Sequence, residues 1–404
     1  MELDVEMEVK IRKELEKINS FFINDIVVND NIGLYTGVSG RNVLMCQNYL
    51  AKKNDQYFKK INSYIEYSVN AIEAGKDIDF SFSTGLAGWA WTLEHLTEKG
   101  FITSDINNLL EDIDHIVYKQ MKYFLSVGEY DQLNGAIGIG RYFIKRKKYH
   151  LVDKIINYLN ETKVHSSLET KWRLVNRLEN AFYYDFSLAH GVSGIVYFLS
   201  QCIKHNIQIK MCSDLIRGGI SFLLNNIQDF DKVGSFFPGS IKADNYIEGN
   251  NNPAHSRLAW CYGDLGIWYI LYETAGIIKD IDLKERAING LIDTAKRRIP
   301  HDTGVNDPGF CHGSSGIAYI FHKLWVREKH EAFQKAAHYW LEETLNYNIG
   351  ETGIDGYKFF IGNYEKQGYE ASKELLEGTA GVALVYLTYL HPELSDWDSC
   401  MLLS

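Results

Sequence analysis

A Gly-x-x-Gly element returns seven times along the 404 residues, and each copy opens an apolar stretch. The copies are Gly37-Val38-Ser39-Gly40, Gly85-Leu86-Ala87-Gly88, Gly135-Ala136-Ile137-Gly138, Gly191-Val192-Ser193-Gly194, Gly263-Asp264-Leu265-Gly266, Gly313-Ser314-Ser315-Gly316 and Gly378-Thr379-Ala380-Gly381. Successive first glycines are 48, 50, 56, 72, 50 and 65 residues apart. A step near 50 accommodates two helices with their loops, so the repeat points to stacked helical hairpins.

The segments after the glycines, such as Ile195-Val196-Tyr197-Phe198-Leu199 and Ile267-Trp268-Tyr269-Ile270-Leu271, are apolar almost all round, as buried helices are. Between them run amphipathic segments: Phe58, Ile61, Ile65, Val69 and Ile72 keep the 3.6 period, as do Ile106, Leu109, Ile113, Ile116 and Val117. Only five prolines interrupt the chain. Buried helices alternating with half-exposed ones predict an all-α fold, an α/α toroid of seven helical hairpins with an inner and an outer ring. A plain bundle or open solenoid is the competing arrangement, because repeat number alone does not force closure. The expected organisation is one toroid domain over 1–404. The longer steps predict insertions before the fourth, fifth and seventh copies: a loop over 231–255, and a β-hairpin within 353–368, where Tyr357, Phe359, Phe360 and Ile361 lie between turn residues.

If the buried helices all start at one end, the residues just before the glycines converge there. Thr36 and Thr84 look like helix N-caps. The other copies carry chemically active residues: Asp131, His190, Cys261-Tyr262, Cys311-His312 and Glu377. Cys261 and Cys311 each stand two residues before the first glycine of their copy, and His312 adjoins Cys311. Two cysteines and a histidine supply three zinc ligands and leave a fourth position for water or substrate, the pattern of a catalytic rather than a structural site. Cys46, Cys202, Cys212 and Cys400 lie in apolar surroundings and read as inert buried thiols. His190 suits proton transfer near neutral pH, a fourth ligand position or a core role. Arg257, four residues before Cys261, would share a helical face with it and either hold an anion or pair with Asp264. Asp131 and Glu377 fit helix caps.

The net charge of -10 offers no general attraction for nucleic acid or anionic lipid. The first residues lack the basic-then-apolar order of a secretory signal, and the apolar runs are too short for a membrane span. These features predict a cytoplasmic protein without direct membrane insertion.

Trp260-Cys261-Tyr262-Gly263, Cys311-His312-Gly313, Ala189-His190-Gly191-Val192-Ser193-Gly194 and Leu376-Glu377-Gly378-Thr379-Ala380-Gly381 together resemble the signatures of lanthionine synthetase C-like proteins, the cyclases of lantibiotic biosynthesis. The four motifs occur in the family's order, and the seven-copy repeat extends the resemblance over nearly the whole chain. It implies an α/α toroid with one zinc per chain on Cys261, Cys311 and His312. It also implies catalytic roles for His190 in proton transfer, for Asp131 before the third glycine pair, and for Arg257 and Tyr262 around the first zinc cysteine. The sequence departs at Asp264-Leu265, where the family often has proline before the second glycine. The implied reaction adds peptide cysteine thiols to dehydroalanine or dehydrobutyrine, forming (methyl)lanthionine rings. The implied partners are a dehydrated precursor peptide with its leader, a separate dehydratase and an exporter, whose complex would bring the protein to the membrane periphery. A toroidal glycosidase using Asp131, Asp264 and Glu377 leaves both cysteines unexplained. A prenyltransferase would need a basic diphosphate pocket that the sequence does not display, and a non-catalytic binder of modified peptides would keep the zinc ligands but not the proton transfer.

Overall fold

The computed structural model describes residues 5–28, 30–176, 179–250, 252–350, 352–362 and 367–404. A helix follows every glycine pair: α2 (Val38–Lys52), α4 (Leu86–Glu98), α6 (Ala136–Lys145), α8 (Val192–Lys204), α11 (Asp264–Ile278), α14 (Ser314–Glu328) and α16 (Thr379–Leu390). Between them lie the half-exposed helices α1 (Val5–Asn24), α3 (Asp55–Glu73), α5 (Asn107–Ser126), α7 (Tyr149–Thr162), α9 (Ile209–Asn225), α12 (Ile281–Thr294) and α15 (Glu331–Asn346). Two single turns, α10 (Phe230–Val233) and α13 (Pro300–Thr303), complete the α-helices. The chain divides into two compact units, residues 1–109 with 305–404, and residues 110–304.

In the first unit α2 packs on α3, α4 and α16, and α14 packs on α15 and α16. The seventh repeat has no long helix after α16, only the 3-10 turns at Pro392–Leu394 and Asp396–Met401. Its partner comes from the other end of the chain: α1 lies against α16, with α3 and α15 as neighbours. Met7, Ile11, Leu15, Ile18 and Phe22 form the buried stripe that makes α1 fit there. In the second unit α8 is surrounded by α6, α9 and α11, while α7 packs on α6 and α9, and α12 on α11.

The glycine pairs are explained by the loops that lead into these helices. Each first glycine is itself the N-cap, and none of the seven caps carries a side-chain hydrogen bond. The unpaired N–H groups of the helix start are satisfied instead by backbone carbonyls of the lead-in loop. Val38, Leu86, Ala136, Ser314 and Thr379 donate to the carbonyls of Asn31, Asp79, Glu129, Asp307 and Ser372, at 2.8–3.1 Å. A Cβ at Gly313 would stand 2.5 Å from the Asp307 carbonyl oxygen, and one at Gly316 would collide with that of Phe310. Both glycines are therefore needed for a backbone that doubles back over its own helix. Thr36 and Thr84 are not N-caps, contrary to expectation, because the loop carbonyls already occupy the helix start. Thr84 bonds the Asp79 carboxylate, and Thr36 accepts from Asn31.

Neighbouring lead-in loops are also stitched together. In the first unit Tyr35 N–H donates to Ser83, Leu375 and Leu376 donate to Tyr35, and Phe310 and Cys311 donate to Leu376. In the second unit Leu188 and Ala189 donate to the Cys261 carbonyl, and Gln132 donates to that of Ala189. The position two residues before the glycine, where both motif cysteines stand, is thus held by main-chain bonds to the next loop.

Strands occupy the insertions. Before the fourth copy, β1 (Val164–His165) pairs with β2 (Thr170–Lys171), and β3 (Leu174–Asn176) with β4 (Ala181–Asp185), all antiparallel. Segment 231–255 is more than a loop: β5 (Ser240–Lys242) adds to β4, with Tyr184 opposite Ile241, and a 3-10 turn follows at Ala243–Asn245. Its Tyr246 hydroxyl donates to buried Glu169, which pairs with Lys171 at 2.6 Å, and the Lys171 ammonium lies 4.4 Å from the Tyr246 ring centre. Within the last insertion β6 (Phe359–Gly362) pairs antiparallel with β7 (Gln367–Glu370), Phe360 opposite Tyr369. Residues 363–366 of the expected hairpin lie outside the described residues.

Candidate metal centre

Cys261 sits in the tight loop closed by the isolated bridge between Leu258 and Gly263. Gly263 has φ of +84°, a conformation open to glycine but strained for other residues. Directly behind it the first residue of α11, Asp264, is fully buried. Its carboxylate accepts from Arg297 at 2.8 Å and from the Phe236 and Phe237 amides at 2.9 and 3.1 Å. Burial pushes its pKa up to about 6 despite the arginine charge. Of the two roles open to Arg257, the pair with Asp264 is not formed, because Arg297 takes that carboxylate. The expected helical face shared by Arg257 and Cys261 is also absent, because the bridge holds residues 258–263 in a loop and the helix starts at Asp264. Arg257 packs its side chain beside Gly304, and its guanidinium makes no hydrogen bond or ion pair among the described residues.

The carbonyl of Cys261 holds the Leu188 and Ala189 amides, bringing His190 to the same part of the second unit. His190 Nδ1 lies 3.3 Å from Asp131 Oδ2. The other Asp131 oxygen accepts from Leu133 and Asn134 amides at 2.7 and 2.8 Å, so the carboxylate is fixed by its own loop. It caps this lead-in turn rather than α6. Burial alone would lower the His190 pKa, but the bond to Asp131 and the charges of Asp131 and Asp185 leave it raised. Burial likewise works against ionised Asp131, yet the His190 bond and charge keep its pKa below the usual value. The Tyr262 ring centre is 6.0 Å from that of His190.

In the first unit Cys311 and His312 end the lead-in loop of α14. Cys311 N–H donates to the Leu376 carbonyl at 2.9 Å, which brings Glu377 alongside. His312 Nδ1 is 3.4 Å from Glu377 Oε1, and Nε2 is 3.9 Å from Asp307 Oδ2. Glu377 therefore serves the imidazole, not the start of α16, where Gly378 is the cap. Whichever ring nitrogen faces a metal, a carboxylate stands beside the other, the usual surroundings of a metal-bound histidine.

Cys261 in the second unit, and Cys311 and His312 in the first, each stand at the end of a lead-in loop, and these are the residues that could hold a metal ion. Both thiols are buried and His312 is half-buried. None of the six cysteines is in a disulfide. Burial pushes the Cys46 thiol up to about 12 and raises the Cys202 thiol well above its usual value, as suits inert core thiols. The sequence reading passed over Asp185, Asp307 and Arg297. Asp185 and Asp307 could have been found: with Asn31, Asp79 and Ser372 they form a polar column six residues before the first glycine. Their side chains accept from amides two residues on in four of these loops: Asn31 from Gly33, Asp79 from Ser81, Asp185 from Ser187 and Asp307 from Gly309.

A profile of the lanthionine synthetase C-like protein family matches residues 29–402. The chain belongs to the lanthionine synthetase C-like family. Among its relatives in this family, the nisin biosynthesis protein NisC of Lactococcus lactis subsp. lactis is 26% identical over 399 residues, spanning 92% of this chain and 88% of that protein. The solved structure of nisin cyclase superposes with a TM-score of 0.73 at 21% identity and covers 98% of both chains. The fold is accordingly the family's α/α toroid, and the enzyme class is that of a lanthionine synthetase. Among the described residues no helix is long and apolar enough to cross a membrane.

Proposed function

We propose that this enzyme is a zinc-dependent lantibiotic cyclase that closes thioether rings in a dehydrated precursor peptide. The observation that carries the reading is the donor set itself: in a chain of this family, Cys261, Cys311 and His312 stand at the ends of lead-in loops, with Glu377 and Asp307 beside the His312 ring. Two thiolates and an imidazole suit zinc and leave a fourth tetrahedral position open to substrate. When bound there, zinc supplies the positive charge that lowers the pKa of a peptide thiol, so that thiolate is available at neutral pH.

The reaction forms a bond from the peptide sulfur to the β-carbon of dehydroalanine or dehydrobutyrine. The alkene electron pair moves toward the carbonyl, and the α-carbon then takes a proton, while the thiol gives one up. His190 is the residue for that proton transfer. Asp131 holds its Nδ1 side and raises its pKa, which favours the protonated ring, and Nε2 is left to face the substrate. Arg257, whose guanidinium makes no hydrogen bond among the described residues, stands beside the Cys261 loop and is suited to the negative charge that develops on the carbonyl oxygen. Tyr262, whose ring neighbours His190, lines the same place. A glycosidase reading loses support from Asp264, whose carboxylate is buried against Arg297 and two amides. The substrate would come from a separate dehydratase.

Incubating the zinc-loaded enzyme with a dehydrated, cysteine-containing precursor, then alkylating free thiols for mass spectrometry, tests the proposal. Protected thiols appearing with time are expected, and thiols that stay reactive throughout would contradict it.

A further inference from the structure

We infer that the β6–β7 hairpin is a substrate-gripping surface: Phe360 and Tyr369 hold an apolar side chain of the peptide close to its reacting cysteine. The inference rests on the cyclase reading above. Its observations are confined to the first unit. β6 and β7 pair only with each other among the described residues, and Phe360 stands directly opposite Tyr369, so both rings project from the same face. The ring centres are 5.6 Å apart at 67°, an edge-to-face pair, and Tyr369 is 52% exposed. Phe359, on the opposite face, is buried against the lead-in loop near Gly309. An aromatic pair left on the outer face of a two-stranded hairpin adds apolar surface that the core does not use.

The hairpin is tied to the metal-centre loop rather than merely near it. Phe360 N–H donates to Asp307 Oδ2 at 3.0 Å, and that same oxygen is 3.9 Å from His312 Nε2. The Tyr369 hydroxyl donates to the Asn306 carbonyl at 3.2 Å. An extended peptide advances about 3.3 Å per residue, so the Phe360 backbone lies within some two residues of the His312 ring. A peptide cysteine brought to His312 therefore carries its near neighbours past this face. The occupant that fits is an apolar or aromatic side chain a few residues from the reacting thiol, stacked against the pair.

The test measures ring closure and peptide binding for the zinc-loaded enzyme and for F360A/Y369A, Y369A and Y369F. In the double variant KM should rise about tenfold, with kcat changed less than about twofold and zinc content unchanged. Y369A should move KM in the same direction. Y369F, which loses the bond to Asn306 but keeps the ring, should behave like wild type, separating the aromatic surface from the anchoring of the loop. An unchanged KM in F360A/Y369A and Y369A, or an equal rise in Y369F and Y369A, would overturn the inference. If wild type closes no ring, the cyclase reading fails by itself, and calorimetric binding of the same peptide decides: about tenfold weaker binding by Y369A supports the gripping surface, and equal binding overturns it.

Discussion

The loop that leads into α4 and the loop that leads into α14 share their main-chain bonds and differ in the chemistry of the two side chains just before the glycine. In both, an aspartate six residues before the glycine lends its carbonyl to the first helical amide and its carboxylate to amides one or two residues on: Asp79 in one, Asp307 in the other. In both, the second glycine makes room for a returning carbonyl, Phe82 over Gly88 and Phe310 over Gly316. The two positions before the first glycine are Ser83 and Thr84 in the α4 loop, where Thr84 bonds Asp79. They are Cys311 and His312 in the α14 loop, where the imidazole stands between Glu377 and Asp307. The repeat thus separates scaffold from chemistry: glycines and main-chain bonds shape the loop, leaving the last two side chains free to differ.

That separation can be broken in a graded way. Cys311→Ala should remove ring closure, with a rate loss of at least about 10⁴-fold, and should abolish zinc retention in dialysis against a chelator. The fold, followed by circular dichroism, should survive. His190→Asn should keep zinc and lower the single-turnover rate by roughly 10²–10⁴-fold; an unchanged rate would remove His190 from the mechanism. Gly88→Ala and Gly316→Ala place a methyl against equivalent carbonyls, so each should cost about 1–3 kcal/mol in chemical denaturation. Widely different losses would mean that the two loops are not built alike.

Asp131→Asn should slow the reaction by about tenfold and shift its pH dependence. In the folded protein the Asp131 partnership raises the His190 pKa, so its contribution to stability is complete below about 6.5 and is lost as pH rises through the raised value. The variant should therefore titrate His190 at lower pH by NMR, and the alkaline fall in ring-closure rate should move to lower pH with it. No movement would disconnect Asp131 from the histidine. The smallest effect is expected for Thr84→Val, which loses the Asp79 bond: about 1 kcal/mol of stability and turnover within twofold.

The helices were legible because their cause is local. An apolar run after Gly-x-x-Gly has nowhere to go but a buried helix, and the spacing of Cys261 and Cys311 from their glycines shows that they hold equivalent places. What escaped the sequence depends on distant partners. Asp264 and Arg257 are seven residues apart, whereas the observed partner Arg297 lies 33 residues on, beyond any helical period. That α1 completes the seventh repeat joins the two ends of the chain, and its amphipathic stripe does not name its neighbour. The strands between 164 and 185 are two to five residues long, too short for alternation to declare them. Thr36 and Thr84 look like caps because Thr before a helix commonly is one; the carbonyls that displace them come from the loop's return path.

The central claim is a zinc on Cys261, Cys311 and His312 that readies a peptide thiol. Metal analysis of the purified chain, alongside the ring-closure assay, tests it most directly. About one zinc per wild-type chain is expected, with zinc and activity lost together in Cys261→Ala and Cys311→Ala. A folded wild-type protein that closes rings at full rate without metal would contradict it.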